Sequence, residues 1–293
     1  MKRLALFALC LTMLFGCTPQ EQPAEPSEEE PVQEVSAPEI LYREPTVEEA
    51  AAGNSAISEK GITLIQFEEP QKGDPIARFQ TLAGEIVVRL FPRQAPLAVE
   101  NFAMLAQDGY YDGMGFYKVM EDFLIQSGAP ANKPPTSIYT DEEGEPISFA
   151  TETSLDLWNF RGALVMKSRG PEQPDSNTSE FFIVQSDRIS EALAEQMEEI
   201  GYPGKVLEKY REVGGIPGFD GRYTVFGQVI SGMEVVDDIA SAPVGKVYNP
   251  LEPAIIESIL MEPYDPANPP VVLGQSDEEE TQSDEEDSGG EVA

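Results

Sequence analysis

Between residues 62 and 264 the apolar side chains come in short runs rich in β-branched and aromatic residues, separated by turn formers. This rhythm narrows the fold more than any other feature of the chain. "ITLIQFEE" from 62, "IARFQT" from 76 and "EIVVRLF" from 85 read as strands, with "LAGE" (82–85) as a tight turn between the last two. Further strands are predicted at 116–120, 123–127, 162–166, 180–186, 224–230 and 254–261. One helix is clear. Pro96 suits its first turn, Val99, Phe102, Ala103 and Ala106 recur at helical spacing, and Gly109 suits its end. Many short strands with few helices predict a mainly-β barrel or sandwich.

One stretch breaks the rhythm. "ISEALAEQMEEIGYPGKVLEKYREVGG" (189–215) reads as two short helices split at Gly201–Pro203. Ile189, Leu193, Met197 and Ile200 line one apolar face; Val206, Leu207, Tyr210 and Val213 line the other. Such a pair either packs on the barrel as an insertion or binds a partner, and the packed insertion is the preferred reading.

The flanks have the composition of chains that do not fold. Residues 17–58 are dense in Pro, Glu, Ser and Ala, which cannot bury enough apolar surface to offset chain entropy. A flexible tether of about 40 residues spans roughly 35 Å, and charge repulsion extends it. The tail, 265–293, carries "DEEETQSDEED" (277–287), a like-charge run without periodicity. It reads as solvated; it lacks an EF-hand pattern that would make it a calcium collector. The domain between these flanks is placed at 59–264.

Charge and composition exclude whole classes of chemistry. A net charge of −34 repels a phosphate backbone, so nucleic acid is not an expected partner. The sequence holds no histidine, which removes Ser-His-Asp and Cys-His nucleophile systems, histidine acid–base catalysis and most zinc sites. No metal or other cofactor is expected. The two cysteines, Cys10 and Cys17, both lie near the start, so no disulfide framework staples the fold. There "MKR" is a basic leader and "LALFALCLTMLFG" (4–16) an apolar run too short to span a bilayer. Its end, "LFGC", resembles the lipobox of bacterial lipoproteins, with Phe15 a departure at its position. By that resemblance 1–16 is a signal peptide, Cys17 is lipidated, and the mature chain is held extracytoplasmically on a membrane face. Cys10, preceded by the large Leu9, is the weaker candidate; a soluble secreted protein with an incidental cysteine is the alternative.

"GEIVVRLFPRQAPLAVENFAMLAQDGYYDGMGFYKVMEDFLIQSG" (84–128), "FRGALVMKSRGPEQPDSNTSEFFIVQS" (160–186) and "GFDGRYTVFGQVISGMEVVDDIA" (218–240) are three ordered blocks, closed by "AIIESILM". Together they resemble a cyclophilin-type peptidyl-prolyl cis-trans isomerase over residues 75–262. The resemblance implies an eight-stranded antiparallel barrel capped by two helices, with 189–215 inserted on a loop. It also implies an enzyme acting on proline-containing polypeptides, with no cofactor, since X–Pro rotation breaks no bond.

The site residues follow from the resemblance, position by position. Lys118, in Phe116–Tyr117–Lys118, stands where the family has a catalytic arginine; the alternative is a lysine that merely snorkels from the rim. Gln126 matches the orienting glutamine. Phe116, Phe123, Leu124, Ser168, Glu180, Phe182, Phe219 and Tyr223 fall at substrate-binding positions. Several are replacements: Ser168 for an asparagine, Glu180 for a glutamine, Phe219 for a leucine and Tyr223 for a histidine. Gly218 stands where a tryptophan is common. Glu180 is expected to pair with Lys118, Lys167 or Arg169. An isomerase and a binding module with weakened catalysis both fit this pattern. A Ser-Lys hydrolase at Lys167–Ser168 does not, because adjacent strand residues point to opposite faces.

Overall fold

In a computed structural model, residues 62–131, 134–170 and 172–270 are described. The signal peptide, Cys17, the tether at 17–58 and the tail beyond 270 lie outside them.

Eight strands form one antiparallel sheet: β1 (Pro75–Thr81), β2 (Gly84–Leu90), β3 (Lys118–Met120), β4 (Leu124–Ser127), β5 (Ala163–Met166), β6 (Phe181–Val184), β7 (Val225–Ser231) and β8 (Ile256–Pro263), in the order β3-β4-β6-β5-β7-β2-β1-β8. The segments leading into the edge strands meet in an antiparallel bridge between Gly115 and Ile255, which rolls the sheet toward closure. Helices α1 (Pro96–Gln107) and α4 (Met233–Ala240) add Val99, Phe102, Val235 and Ile239 to the core inside the roll. Within it Phe79, Phe102, Tyr111, Phe181 and Phe226 make tilted and edge-on ring contacts, the geometry favoured by aromatic quadrupoles.

Helix α1 shows how local chemistry and tertiary contact share the work. Ala95 offers no side-chain cap, so the Glu152 carboxylate accepts from the Leu97 and Ala98 N–H groups at 3.1 and 2.9 Å. An anion there satisfies orphan donors and complements the helix dipole. Its buried stripe is Ala98, Val99, Phe102, Leu105 and Ala106, so Leu105 takes the place expected of Ala103.

The segment "ITLIQFEE" is not a strand. It forms a single 3-10 turn, Ile65–Phe67. Its polar residue, Gln66, points inward: the side chain donates to Trp158 O and Gln228 Oε1 at 2.9 and 2.8 Å and accepts from Trp158 N at 2.7 Å. Arg89 donates to the Ile65 and Glu68 carbonyls. Side-chain partners thus replace a sheet ladder.

The insertion folds as α2 (Glu191–Glu199) and α3 (Gly204–Val213). Met197, Val206, Leu207 and Tyr210 are buried with Ile62, Trp158 and Phe160, giving the barrel a second, smaller core. The insertion begins and ends at one place. Gly214, at φ +81°, lies so near the Asp187–Arg188 backbone that a Cβ would come within 2.3 Å of it; only glycine combines that conformation with that approach.

Candidate active site

Strand register builds the site. Lys118 faces Gln126, Gln126 faces Phe182, and Phe182 faces Val165, one transverse row across β3, β4, β6 and β5. The adjoining row, Val119, Ile125, Ile183 and Leu164, belongs to the core. Side chains alternate between faces, so the Lys118 row lies on the opposite, outer face. Leu124 shares that face in the next row, between Met120 and Val184, and has no exposed surface.

At one end of the row stand four rings. Phe219, on a 3-10 turn Pro217–Phe219, lies 5.7 Å from Phe123, 5.7 Å from Phe182 and 4.7 Å from Tyr223, centroid to centroid. It is only 2% exposed. The larger residue at the leucine position therefore sits among the other three and takes up space between them. Behind the turn, Asp220 is fully buried. Its carboxylate accepts from Asn159 N and Nδ2 at 2.9 Å, from Tyr210 Oη at 2.8 Å and from Tyr202 Oη at 3.1 Å. The insertion's two tyrosines thus hold the residue next to Phe219. Burial pushes the Asp220 carboxyl up to about 6, with those donors opposing the rise.

At the other end a polar chain runs through a residue the sequence reading did not single out. Gln126 donates its amide to the Tyr117 hydroxyl, which donates to Glu180 Oε1 at 2.6 Å. Glu180 Oε2 in turn pairs with Lys167 at 3.7 Å, the partner now identified for it. Burial holds the Lys118 ammonium below the usual lysine range, and the positive charge of Lys167 adds to the effect. Beside Glu180 opens a cavity of about 570 Å³ lined by Lys167, Arg169, Thr178 and prolines 134, 135, 146 and 174.

Phe116 requires a correction. It is wholly buried, in the core cluster that also holds Tyr111 and Val119, and does not reach the outer face. Its N–H donates to Ala254 O, in the segment that closes the roll. Ser168 is 4% exposed, with its hydroxyl accepting from Gly170 N–H at 3.3 Å, a turn contact.

The family model for the cyclophilin type peptidyl-prolyl cis-trans isomerase matches residues 76–260, nearly the whole described barrel. The chain belongs to this family. Proteins of Staphylococcus aureus strain USA300 and Staphylococcus haemolyticus, provisionally named peptidyl-prolyl cis-trans isomerases, are 39% and 38% identical over 198 residues, covering 67% of this chain and 95% of each relative. Among solved structures, a Cryptosporidium parvum cyclophilin type isomerase is 28% identical with a TM-score of 0.51, covering 65% of this chain and 98% of that one. The same protein in the presence of the dipeptide Ala-Pro gives a TM-score of 0.50. The cyclophilin described here is an enzyme of the peptidyl-prolyl isomerase class, built as the mainly-β antiparallel fold its sequence predicts.

Proposed function

We propose that this cyclophilin catalyses X–Pro isomerisation in exported polypeptides, with Lys118 as the donor to the twisted amide and Cys17 as its lipid anchor outside the cytoplasm. Rotation about X–Pro takes tens to hundreds of seconds uncatalysed and limits folding. When the amide twists, resonance is lost and the nitrogen lone pair becomes an acceptor. A cation that meets it only then accelerates rotation by differential binding. The observation that carries the reading is the single row of Lys118, Gln126 and Phe182, which sets a cation, an amide and an aromatic wall side by side. Phe123, Phe182 and Tyr223 supply the apolar grip for the proline ring.

The location rests on sequence alone: the basic leader, the short apolar run and "LFGC". Among the described residues no helix is long and apolar enough to cross a membrane; in this reading the attachment is a lipid on Cys17. A second reading, a module that holds polypeptides without turning them over, draws on Phe219, whose ring crowds the proline grip.

A protease-free isomerisation assay on the intact protein separates the two. Turnover that falls in Lys118→Ala supports the enzyme with Lys118 as donor; wild-type inactivity supports the binding module. Partition of the expressed protein into the membrane fraction, lost in Cys17→Ser, tests the anchor.

A further inference from the structure

We infer that the 189–215 insertion gives this isomerase a second substrate subsite, at the insertion's base, that takes an apolar side chain flanking the X–Pro bond. The inference rests on the isomerase reading and extends it to substrate choice.

The insertion leaves the barrel after Ser186 and rejoins it at Gly214–Gly218, and between these two strands of chain lies a cavity of about 300 Å³. Ile189 and Leu193 form one wall, Ile216 and Pro217 the other. Its two serine hydroxyls are already engaged. The Ser190 hydroxyl caps α2 by accepting from Leu193 N–H at 3.2 Å, and the Ser186 hydroxyl donates to Arg188 O at 3.1 Å. Asp122 and Arg188, both largely exposed, pair at 3.6 Å. Asp187 also faces Arg188, at 3.8 Å, so the rim carries a net negative charge that disfavours an acidic side chain, while Ile189, Leu193, Ile216 and Pro217 favour an apolar one. The volume is at the lower end of ligand cavities, roughly 300–1,000 Å³, suited to a side chain with its stretch of backbone.

Continuity with the aromatic grip identifies the occupant as the same polypeptide. Asp122 precedes Phe123, and Pro217 and Gly218 precede Phe219, while Phe123 and Phe219 are in ring contact at 5.7 Å. The Ser186 N–H donates to Phe123 O at 3.2 Å. The cavity's lining residues are thus chain neighbours of the rings that would hold the proline, so one bound polypeptide can meet both. The Tyr202 hydroxyl donates to Pro217 O at 3.0 Å and lies 3.1 Å from Asp220 Oδ2, so the Pro217 wall is held by the insertion itself.

The test is isomerisation by the intact protein of capped Ala-Ala-Pro-Ala peptides in which each flanking alanine is replaced in turn by Leu, Gly or Asp. At one flanking position leucine should raise kcat/KM roughly tenfold over glycine, with aspartate no better than glycine. Leu193→Glu and, separately, Ile189→Asn should bring the leucine-to-glycine ratio to about one, and a cooperative thermal melt of each shows that the variants fold. Equal rates for leucine and glycine at every position, or a preference that survives both variants, overturns the subsite. If no peptide is turned over, the isomerase reading fails on its own. Calorimetric titration with the same peptides then decides the subsite: leucine-dependent binding that Leu193→Glu removes supports it, and its absence overturns it.

Discussion

The Tyr117 hydroxyl donates to Glu180 at 2.6 Å, and the other oxygen of Glu180 holds Lys167 at 3.7 Å. A phenol and a carboxylate thus fix the acceptor for the Gln126 amide, which stands in register with Lys118. Tyr117→Phe removes the bridge and its hold on Gln126. A net hydrogen bond is worth about 1 kcal/mol, so kcat/KM should fall about fivefold with the melting temperature nearly unchanged. Glu180→Gln retains a carbonyl that can accept from Tyr117 and should stay within about twofold of wild type; Glu180→Leu should match Tyr117→Phe. A Tyr117→Phe enzyme with wild-type kinetics would show that the chain does not position Gln126.

Lys118 is a cationic donor only while protonated. Burial and the nearby charge of Lys167 both favour the neutral amine, so kcat/KM should decline with rising pH around a midpoint below 10.5, the ordinary lysine value. An arginine keeps its charge throughout this range and presents a planar fork. Lys118→Arg should therefore lose the alkaline decline and raise the rate at neutral pH, while Lys118→Ala should lower it roughly a hundredfold, the usual cost of one transition-state donor. A pH profile in Lys118→Arg identical to wild type would assign the decline to another group.

The strands were legible because short runs of β-branched and aromatic residues bounded by turn formers mark them even where, as in β4, β5 and β6, both faces are buried. Phe116 was placed at the site by the family resemblance, and the structure puts it in the core. Two residues before Lys118, it would share the lysine's face in a continuous strand, but β3 begins only at Lys118. Just before it Tyr117 N–H still donates to Gln126 O, whereas Phe116 N–H donates to Ala254 O in the segment ahead of β8, and its ring is buried in the core. Tyr117 carried no local signal, since its acceptor, Glu180, is distant in sequence. "ITLIQFEE" has strand-like composition, and only the partners of Gln66, on Trp158 and Gln228, make it a turn. The insertion's apolar faces were readable from helical spacing. That its tyrosine hydroxyls converge on Asp220 was not, because spacing predicts a face and not the tip of a side chain.

Phe219 contacts all three of the other rings that would surround a proline. Phe219→Leu shortens that side chain and should open the grip, lowering KM for short X–Pro peptides severalfold. It also removes buried aromatic contact, so the melting temperature should drop, consistent with a loss of about 1 kcal/mol. Calorimetric peptide affinity and a thermal melt on the same preparation check both. Unchanged affinity alongside a lower melting point would mean that Phe219 is packing and does not limit access.

Asp220 ties stability to pH in a direction its environment dictates. Its carboxyl rises from 3.8 to about 6 on folding, because burial disfavours the anion more than Asn159, Tyr202 and Tyr210 favour it. The folded state therefore holds a proton that the unfolded chain releases between those values. Stability from this group is fully present below pH 3.8, is lost as pH rises through 6, and is level above that. At about 1.4 kcal/mol per unit the change amounts to about 3 kcal/mol. Asp220→Asn cannot titrate, yet its amide oxygen can still accept from Asn159. Many other carboxylates titrate over the same range, so the informative quantity is the difference between the variant and wild type in urea midpoint, measured at pH 4, 5, 6 and 7. The variant should gain on wild type by up to about 3 kcal/mol from pH 4 to 7, most of it before pH 6.5. A difference that stays constant with pH would mean that Asp220 is ionised in the folded protein throughout, with its four donors outweighing burial.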